Sequence, residues 1–93
     1  MRQRRAPAPI TARQIDTFRR ELTQRECSPG TVENYVRSVR AFARWNREAP
    51  VTRGRAAEWR RSLAETYAPA TVNAMLAGLS KFFTLTGRED CRV

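Results

Sequence analysis

The sequence predicts an all-α fold, a compact four-helix domain made of two helical hairpins. Apolar side chains recur at helical spacing in four segments, and most of these segments begin with a residue that starts helices well. The second half of the chain also repeats the first. A chain of 93 residues is long enough for one small core. Two hairpins with one apolar stripe per helix can bury these stripes only against each other.

The first helix is predicted from Ala12 to Glu26. Thr11 and Gln14 have the spacing of a capping box, in which each side chain bonds to the other residue's backbone N–H. Its apolar positions are Ile15, Phe18 and Leu22.

The second helix is predicted from Ser28 to near Asn46. Ser28 can cap the first turn, and Pro29 loses no hydrogen bond there because it has no N–H. The inward positions are Val32, Val36, Val39 and Phe42, beside Tyr35, Ala43 and Trp45. The opposite, polar face carries Asn34, Arg37, Ser38, Arg40, Ala41 and Arg44.

The third helix is predicted from Thr52, its cap, to about Glu65, after a loop that ends at Pro50. Its inward positions are Ala56, Trp59 and Leu63, and its outward arginines are Arg53, Arg55, Arg60 and Arg61. The fourth helix begins at Pro69, and Gly87 is its predicted stop. Its apolar positions are Val72, Met75, Leu76, Leu79, Phe82 and Phe83.

The fourth helix repeats the second at an offset of 40 residues. The matched pairs are Pro29 with Pro69, Thr31 with Thr71, Val32 with Val72, Val36 with Leu76, Val39 with Leu79, and Phe42 with Phe82. The predicted organisation is therefore a flexible basic N-terminal arm over residues 1–10, a four-helix domain over 11–87, and a polar segment over 88–93. We expect that last segment to have no packing partner and to begin an interdomain linker or tail.

The formal net charge of +9 favours nucleic acid as the partner, with an anionic membrane surface as the weaker alternative. No apolar run is long enough to span a membrane, so we expect a cytoplasmic protein with no membrane partner. Two cysteines without any histidine exclude the usual four-ligand zinc sites, and we expect free thiols, no metal and no cofactor.

The sequence offers no set of residues for catalysis. Without histidine, neither a Ser/His nor a Cys/His pair can form, and the four isolated glycines make no phosphate-binding loop. The chain is therefore predicted not to be an enzyme.

The polar faces of the second and fourth helices are the candidate functional surfaces. Asn can bond adenine bidentately in the major groove, Arg can bond guanine, and helix N-termini favour phosphate. Each residue also has a purely structural interpretation. Thr31 and Thr71 would only help to cap their helices, Asn34 and Asn73 would only be solvated, and Arg37 would pair with Glu33 one turn earlier.

These two helices resemble a known family, the N-terminal core-binding, or SAM-like, domain of the tyrosine recombinases or phage integrases. The resemblance rests on Ser-Pro-Gly-Thr-Val-Glu-Asn-Tyr at 28–35 leading into Val-Arg-Ala-Phe-Ala-Arg-Trp at 39–45. It recurs in Pro-Ala-Thr-Val-Asn at 69–73 leading into 76–83, and it covers Thr11 to Gly87. Ala68 stands where the family usually has Ser or a similar cap, and Ser80 where a basic residue is common.

The resemblance implies a domain that grips double-stranded DNA at a recombination core site, with its second and fourth helices at the major groove. A separate C-terminal domain of the same protein would cut and rejoin the strands. Further recombinase protomers would share the DNA, the isolated domain would be a monomer, and the source would be a bacterium, phage or mobile element. With the arginines of the polar face, the candidate DNA-binding residues are Thr31, Asn34, Arg37, Arg40, Arg44, Thr71, Asn73 and the phosphate contact Lys81.

Two other functions are compatible with the residues. One is a freestanding helix-turn-helix regulator, although that fold pairs a short turn with a compact recognition helix, and both candidate helices here are long and duplicated. The other is a helical protein-interaction module that binds an acidic partner.

Overall fold

The computed structural model describes residues 9–93, and this part of the chain is all-α, as predicted. Its helices are α1 (Ala12–Gln24), α2 (Pro29–Asn46), α3 (Arg53–Ala64) and α4 (Pro69–Leu85), followed by a short 3₁₀ helix, Glu89–Cys91. The predicted arm falls largely on residues 1–8, which lie outside the described part. The Cα radius of gyration is 13.1 Å, which matches the roughly 13 Å expected of a compact domain of this size.

Three of the four helices begin with the cap that the sequence predicts. The Gln14 N–H donates to Thr11 Oγ1 at 3.1 Å, and the Thr11 N–H donates to Gln14 Oε1 at 2.9 Å, which completes the capping box. Ser28 Oγ accepts from the Thr31 N–H at 3.2 Å in α2. Thr52 caps α3 in the same way. Ala68, at the start of α4, has no side chain that could do so.

The ends of α1 and α4 share one backbone motif. After α4, the Arg88 N–H bonds to the Phe83 carbonyl at 2.7 Å, and Gly87 has a φ of +78°. This is a Schellman motif, in which the left-handed residue is usually glycine. The prediction that Gly87 ends the helix is confirmed. At the end of α1 the left-handed residue is Glu26, with a φ of +63°. For this reason α1 stops at Gln24 and not at Glu26 as predicted.

Replacing Glu26 by glycine should stabilise the domain. The left-handed conformation brings the Cβ of an L-residue too close to backbone atoms, and glycine removes that cost. We expect E26G to raise the free energy of unfolding by about 0.5–1 kcal/mol, part of the gain being lost to the greater freedom of glycine in the unfolded chain. Urea unfolding followed by circular dichroism measures this change. E26A keeps the Cβ and serves as the control. If E26A raised the free energy of unfolding as much as E26G, loss of the glutamate charge, and not relief of the backbone, would be responsible.

The core combines aromatic and aliphatic side chains from all four helices. The Phe18 ring of α1 meets the Phe82 ring of α4 edge to face, with centroids 5.2 Å apart. Phe42 of α2 contacts Trp59 at 5.3 Å and Phe83 at 6.2 Å. The residues that the sequence places inward are buried, except that Met75 of α4 and the neighbours of the α2 stripe are only partly buried, namely Tyr35, Ala43 and Trp45. The apolar stripes therefore meet as the helical spacing predicts.

The closest approach between helices lies where α4 packs on α2. A Cβ built on Gly78 would lie 3.0 Å from Tyr35 Cα and 3.2 Å from Ser38 Cβ. Ser38, predicted on the polar face, is buried there, and its hydroxyl donates to the Asn34 carbonyl at 3.0 Å. That prediction was wrong because α4 packs against this side of α2. Gly78 brings the two helices so close together that only small side chains, such as that of Ser38, fit between them.

A buried asparagine fastens the loop between α2 and α3. Asn46 Nδ2 donates to the Ala49 carbonyl at 2.9 Å, and Asn46 Oδ1 accepts from Arg55 Nε at 2.7 Å. The Arg55 guanidinium lies 4.2 Å from the centroid of the Trp45 ring and also pairs with Glu58 at 2.9 Å. Arg55, predicted to point outward with the other arginines of α3, is thus held against the end of α2.

The segment 88–93 packs on the domain, contrary to the expectation that it has no partner. Its 3₁₀ helix contacts α3 and α4, and Cys91 is buried with its Sγ 3.7 Å from the Val51 carbonyl oxygen. Burial, aided by the charge of Asp90, raises the pKa of the Cys91 thiol, so the thiol stays neutral at pH 7. Cys27 and Cys91 are both free thiols, as predicted. Cys91 and the partly buried Val93 thus pack a mostly polar segment onto the core.

Within residues 9–93, none of the helices has the length and apolar character that crossing a membrane requires.

Candidate nucleic-acid interface

The outer face of α2 carries a strip of three exposed arginines, Arg37, Arg40 and Arg44, which we call the α2 strip. The spacing of three and four residues keeps these side chains on one side of the helix. With Glu33 and Ala41 they line one shallow depression of about 380 Å³. Asn34, one turn before the strip, is exposed, and its Oδ1 lies 3.4 Å from a guanidinium nitrogen of Arg37.

The α2 strip has no acidic partner in the described part of the chain. The sequence left open a pair between Arg37 and Glu33, but Glu33 instead pairs with Arg19 of α1. Arg25, which caps the end of α1, pairs with Glu21, and Arg55 pairs with Glu58 in α3. The carboxylate that shares the depression with the strip is therefore paired with another helix, and none of the three exposed guanidinium groups of the strip forms an ion pair in residues 9–93.

The inward positions of α2 lie where the sequence puts them. Val32, Val36 and Val39 are buried while Asn34 and Arg37 are exposed, so the helix separates an apolar face from a polar face as predicted.

Thr31 takes part in the start of α2. Its Oγ1 accepts a hydrogen bond from Ser28 Oγ at 2.9 Å, and its side chain is half-buried. This arrangement fits the capping interpretation of Thr31. The hydroxyl keeps its own proton, which leaves it one hydrogen bond to donate.

The start of α4 differs from that of α2. No side chain caps it, so the backbone N–H groups of Ala70 and Thr71 have no cap acceptor, and Pro69 has no N–H. The side chain of Thr71 is exposed. Lys81, three turns further along α4, is half-buried. A helix N-terminus with free N–H groups carries partial positive charge and attracts anions.

Asn73 lies apart from the surface it was predicted to share with Asn34. It lines a groove of about 590 Å³ between α3 and α4, together with Arg60 and Tyr67. Gly78, which packs on α2, lies about 140° around α4 from Asn73 at 100° per residue. The repeat explains the difference, because at an offset of 40 the position equivalent to Asn34 is Ala74 and not Asn73.

Two features of this surface escape the sequence analysis. The pair between Arg19 and Glu33 joins two helices, and no local spacing rule identifies it. The groove between α3 and α4 depends on how these helices pack, and the one signal for it was Tyr67, an aromatic residue outside the predicted helices. For metal binding, residues 9–93 contain no cluster of three or more His, Cys, Asp or Glu side chains that could hold an ion.

Comparison with known proteins gives a match, and it covers most of the chain. No curated protein and no solved structure matches the chain. Residues 14–92, however, match the family described as phage integrase, N-terminal SAM-like domain. The match includes all four helices and the segment that contains Cys91. The chain therefore belongs to the family of phage integrase N-terminal SAM-like domains.

Proposed function

We propose that this chain is the DNA-binding, core-binding domain of a site-specific tyrosine recombinase. It contacts duplex DNA through the α2 strip and the start of α4. A separate C-terminal domain of the same protein performs strand cleavage and rejoining, and further protomers share the DNA. The domain itself has a binding role and no catalytic one.

The observation that carries the proposal is the α2 strip, whose three exposed arginines form no ion pair in residues 9–93. Three guanidinium groups on one side of a helix offer forked donors that match phosphate oxygens, and each phosphate contact releases counterions from the duplex. Asn34 adjoins the strip and presents an amide that suits the edge of adenine. The helix is held in place by the buried valines on its other side, so the polar face is presented on a rigid element.

The start of α4 supplies a second anchor in this proposal. Its uncapped N–H groups and the exposed Thr71 hydroxyl are donors for a phosphate oxygen. Lys81 gives a mobile point charge for another phosphate. Asn73 is not in the proposed contact surface of α2, because it faces α3.

The triple variant R37A/R40A/R44A tests the proposal. We expect the 93-residue chain to bind a mixed-sequence duplex with a Kd on the order of 10⁻⁴ to 10⁻⁶ M in a strongly salt-dependent way. Loss of three phosphate contacts should lower the slope of log K against log salt concentration by about 3 and weaken binding about 100-fold at low salt. Fluorescence anisotropy of a labelled duplex, titrated at several salt concentrations, measures both quantities.

The matched control is R13A/R20A/R25A, which removes the same charge from the surface of α1. Its binding should fall far less than that of the α2 variant. Equal losses in the two variants would mean that only net charge matters, and the proposed surface would be wrong. If the unaltered chain does not bind DNA at low salt, DNA binding itself is contradicted.

The protein-interaction alternative would then be tested with the variant R37E/K81E. It is favoured if the unaltered chain binds an acidic protein and this variant does not.

A further inference from the structure

A second group of arginines lies on α3, and we call it the α3 cluster: Arg53, Arg60 and Arg61. These side chains are exposed, and with Ala57 and Val93 they line a shallow pocket of about 330 Å³. Ala57 and Val93 contribute small apolar side chains, and no acidic side chain lines the pocket.

The charged side chains of α3 form two groups, one that is paired and one that is not. Arg55 pairs with Glu58 and bonds to Asn46, so the cation and the carboxylate of the paired group satisfy each other. None of the arginines of the α3 cluster forms an ion pair within the part of the chain that the structure describes. Three like charges gathered in one depression raise the local positive potential and oppose folding slightly. Such an arrangement suits a binding surface better than a stabilising one.

The α3 cluster is separate from the α2 strip. Arg60 also lines the groove between α3 and α4, whose α4 side includes Asn73 and Ser80. The two groups of arginines line different depressions that share no residue. The two depressions are therefore distinct candidate sites for a phosphate.

We propose that the α3 cluster is a second binding surface for nucleic-acid phosphates. This inference rests on the proposed DNA-binding function and adds a contact surface to it. Arg53 and Arg60 are seven residues apart, which is about 10 Å along a helix. When α3 lies along the duplex axis, this length spans about three phosphates of one strand, so the two side chains can contact different phosphates of that strand. The phosphates belong either to a distant part of the duplex held by α2 or to a second duplex.

The test compares R53A/R60A/R61A with the unaltered chain and with R37A/R40A/R44A in two assays. The first is the salt dependence of binding to a labelled duplex of about 30 base pairs. The second is energy transfer between donor-labelled and acceptor-labelled short duplexes mixed with the protein. If the α3 cluster binds the same duplex, its variant should lower the salt slope by about 2–3 on the long duplex. If it binds a second duplex, the variant should abolish energy transfer and leave binding of one short duplex unchanged.

The inference is overturned if the α3 variant keeps both the salt slope and the energy transfer of the unaltered chain. If only R37A/R40A/R44A loses affinity for DNA, the proposed function is supported and the second surface is not. R53K/R60K/R61K keeps the charges and should keep most of the binding, because lysine also binds phosphate as a point charge. Circular dichroism and thermal unfolding verify that each variant is folded. If R53K/R60K/R61K loses as much DNA binding as R53A/R60A/R61A, a phosphate site is also contradicted.

Discussion

Replacement of Phe42 by alanine is expected to lower the free energy of unfolding by about 3–5 kcal/mol. The Phe42 side chain is fully buried, with 0% of its surface exposed. Its ring contacts Trp59 of α3 and Phe83 of α4, at centroid distances of 5.3 and 6.2 Å, and Trp45 of α2 itself at 6.1 Å. Truncation removes these contacts and leaves a cavity where three helices meet. Since small domains are stable by only about 5–15 kcal/mol, much of the total would be lost.

Urea unfolding, monitored by tryptophan fluorescence and circular dichroism, measures this loss. Y67A is the matched control, since it also truncates an aromatic side chain, but one that is 45% exposed. We expect Y67A to cost less than about 1 kcal/mol. A cost below about 1 kcal/mol for F42A would show that the three helices do not depend on this ring. F42L, which refills most of the volume, should recover part of the stability.

The features that the sequence predicts correctly are those fixed by local rules. The capping box of Thr11 and Gln14 and the caps at Ser28 and Thr52 involve residues three positions apart. The buried valines of α2 follow from 3.6-residue periodicity. Each of these depends on one helix at a time, so no knowledge of the packing is needed. The duplication then supplies the topology, because two similar hairpins with apolar stripes have few ways to pack.

The features that the sequence misses depend on contacts between distant segments. Glu33 has Arg37 one turn away, yet it pairs with Arg19, because α1 packs against α2. Cys91 is buried because α3, α4 and Val51 form a surface for it, although the surrounding residues are polar. Glu26 takes a left-handed conformation that sequence rules assign to glycine. Two backbone hydrogen bonds of the turn offset the local cost: the Cys27 N–H donates to the Leu22 carbonyl at 3.2 Å, and the Glu26 N–H donates to the Thr23 carbonyl at 3.0 Å.

In the candidate site, too, some features follow from local sequence rules and others depend on how distant segments pack. The α2 strip follows from the helical period, and the structure adds that its nearest acid belongs to another ion pair. Asn34 and Asn73 are not equivalent positions of the repeat, since Ala74 lies 40 residues after Asn34, and one residue turns a side chain about 100° around a helix. That rotation moves Asn73 from the α2 side of α4 to the groove beside Arg60. Contact with DNA at each of these residues stays a prediction.

Gly78 sets the distance between α2 and α4, the two helices that the DNA-binding proposal requires to lie side by side. The neighbours of its missing side chain are Tyr35 Cα and Ser38 Cβ, at 3.0 and 3.2 Å from an added Cβ. Neither atom is the free end of a flexible side chain, since one is backbone and the other is fixed to it. A Cβ at position 78 therefore requires these neighbours to shift by a few tenths of an ångström, and a branched side chain requires a larger shift of the two helices.

We expect G78V to lower the free energy of unfolding by about 3 kcal/mol, because its two methyl groups extend further toward the backbone of α2. G78A should show a smaller effect, since the helix propensity of alanine, better than that of glycine by about 1 kcal/mol, offsets part of the clash. The control is G30V at the start of α2, where an added Cβ meets no atom within 4 Å. Its unfolding free energy should change by less than about 1 kcal/mol. If G78V were as stable as G30V, the helices would separate at no cost, and the close contact between α2 and α4 could not be what fixes the geometry of the proposed DNA-binding face.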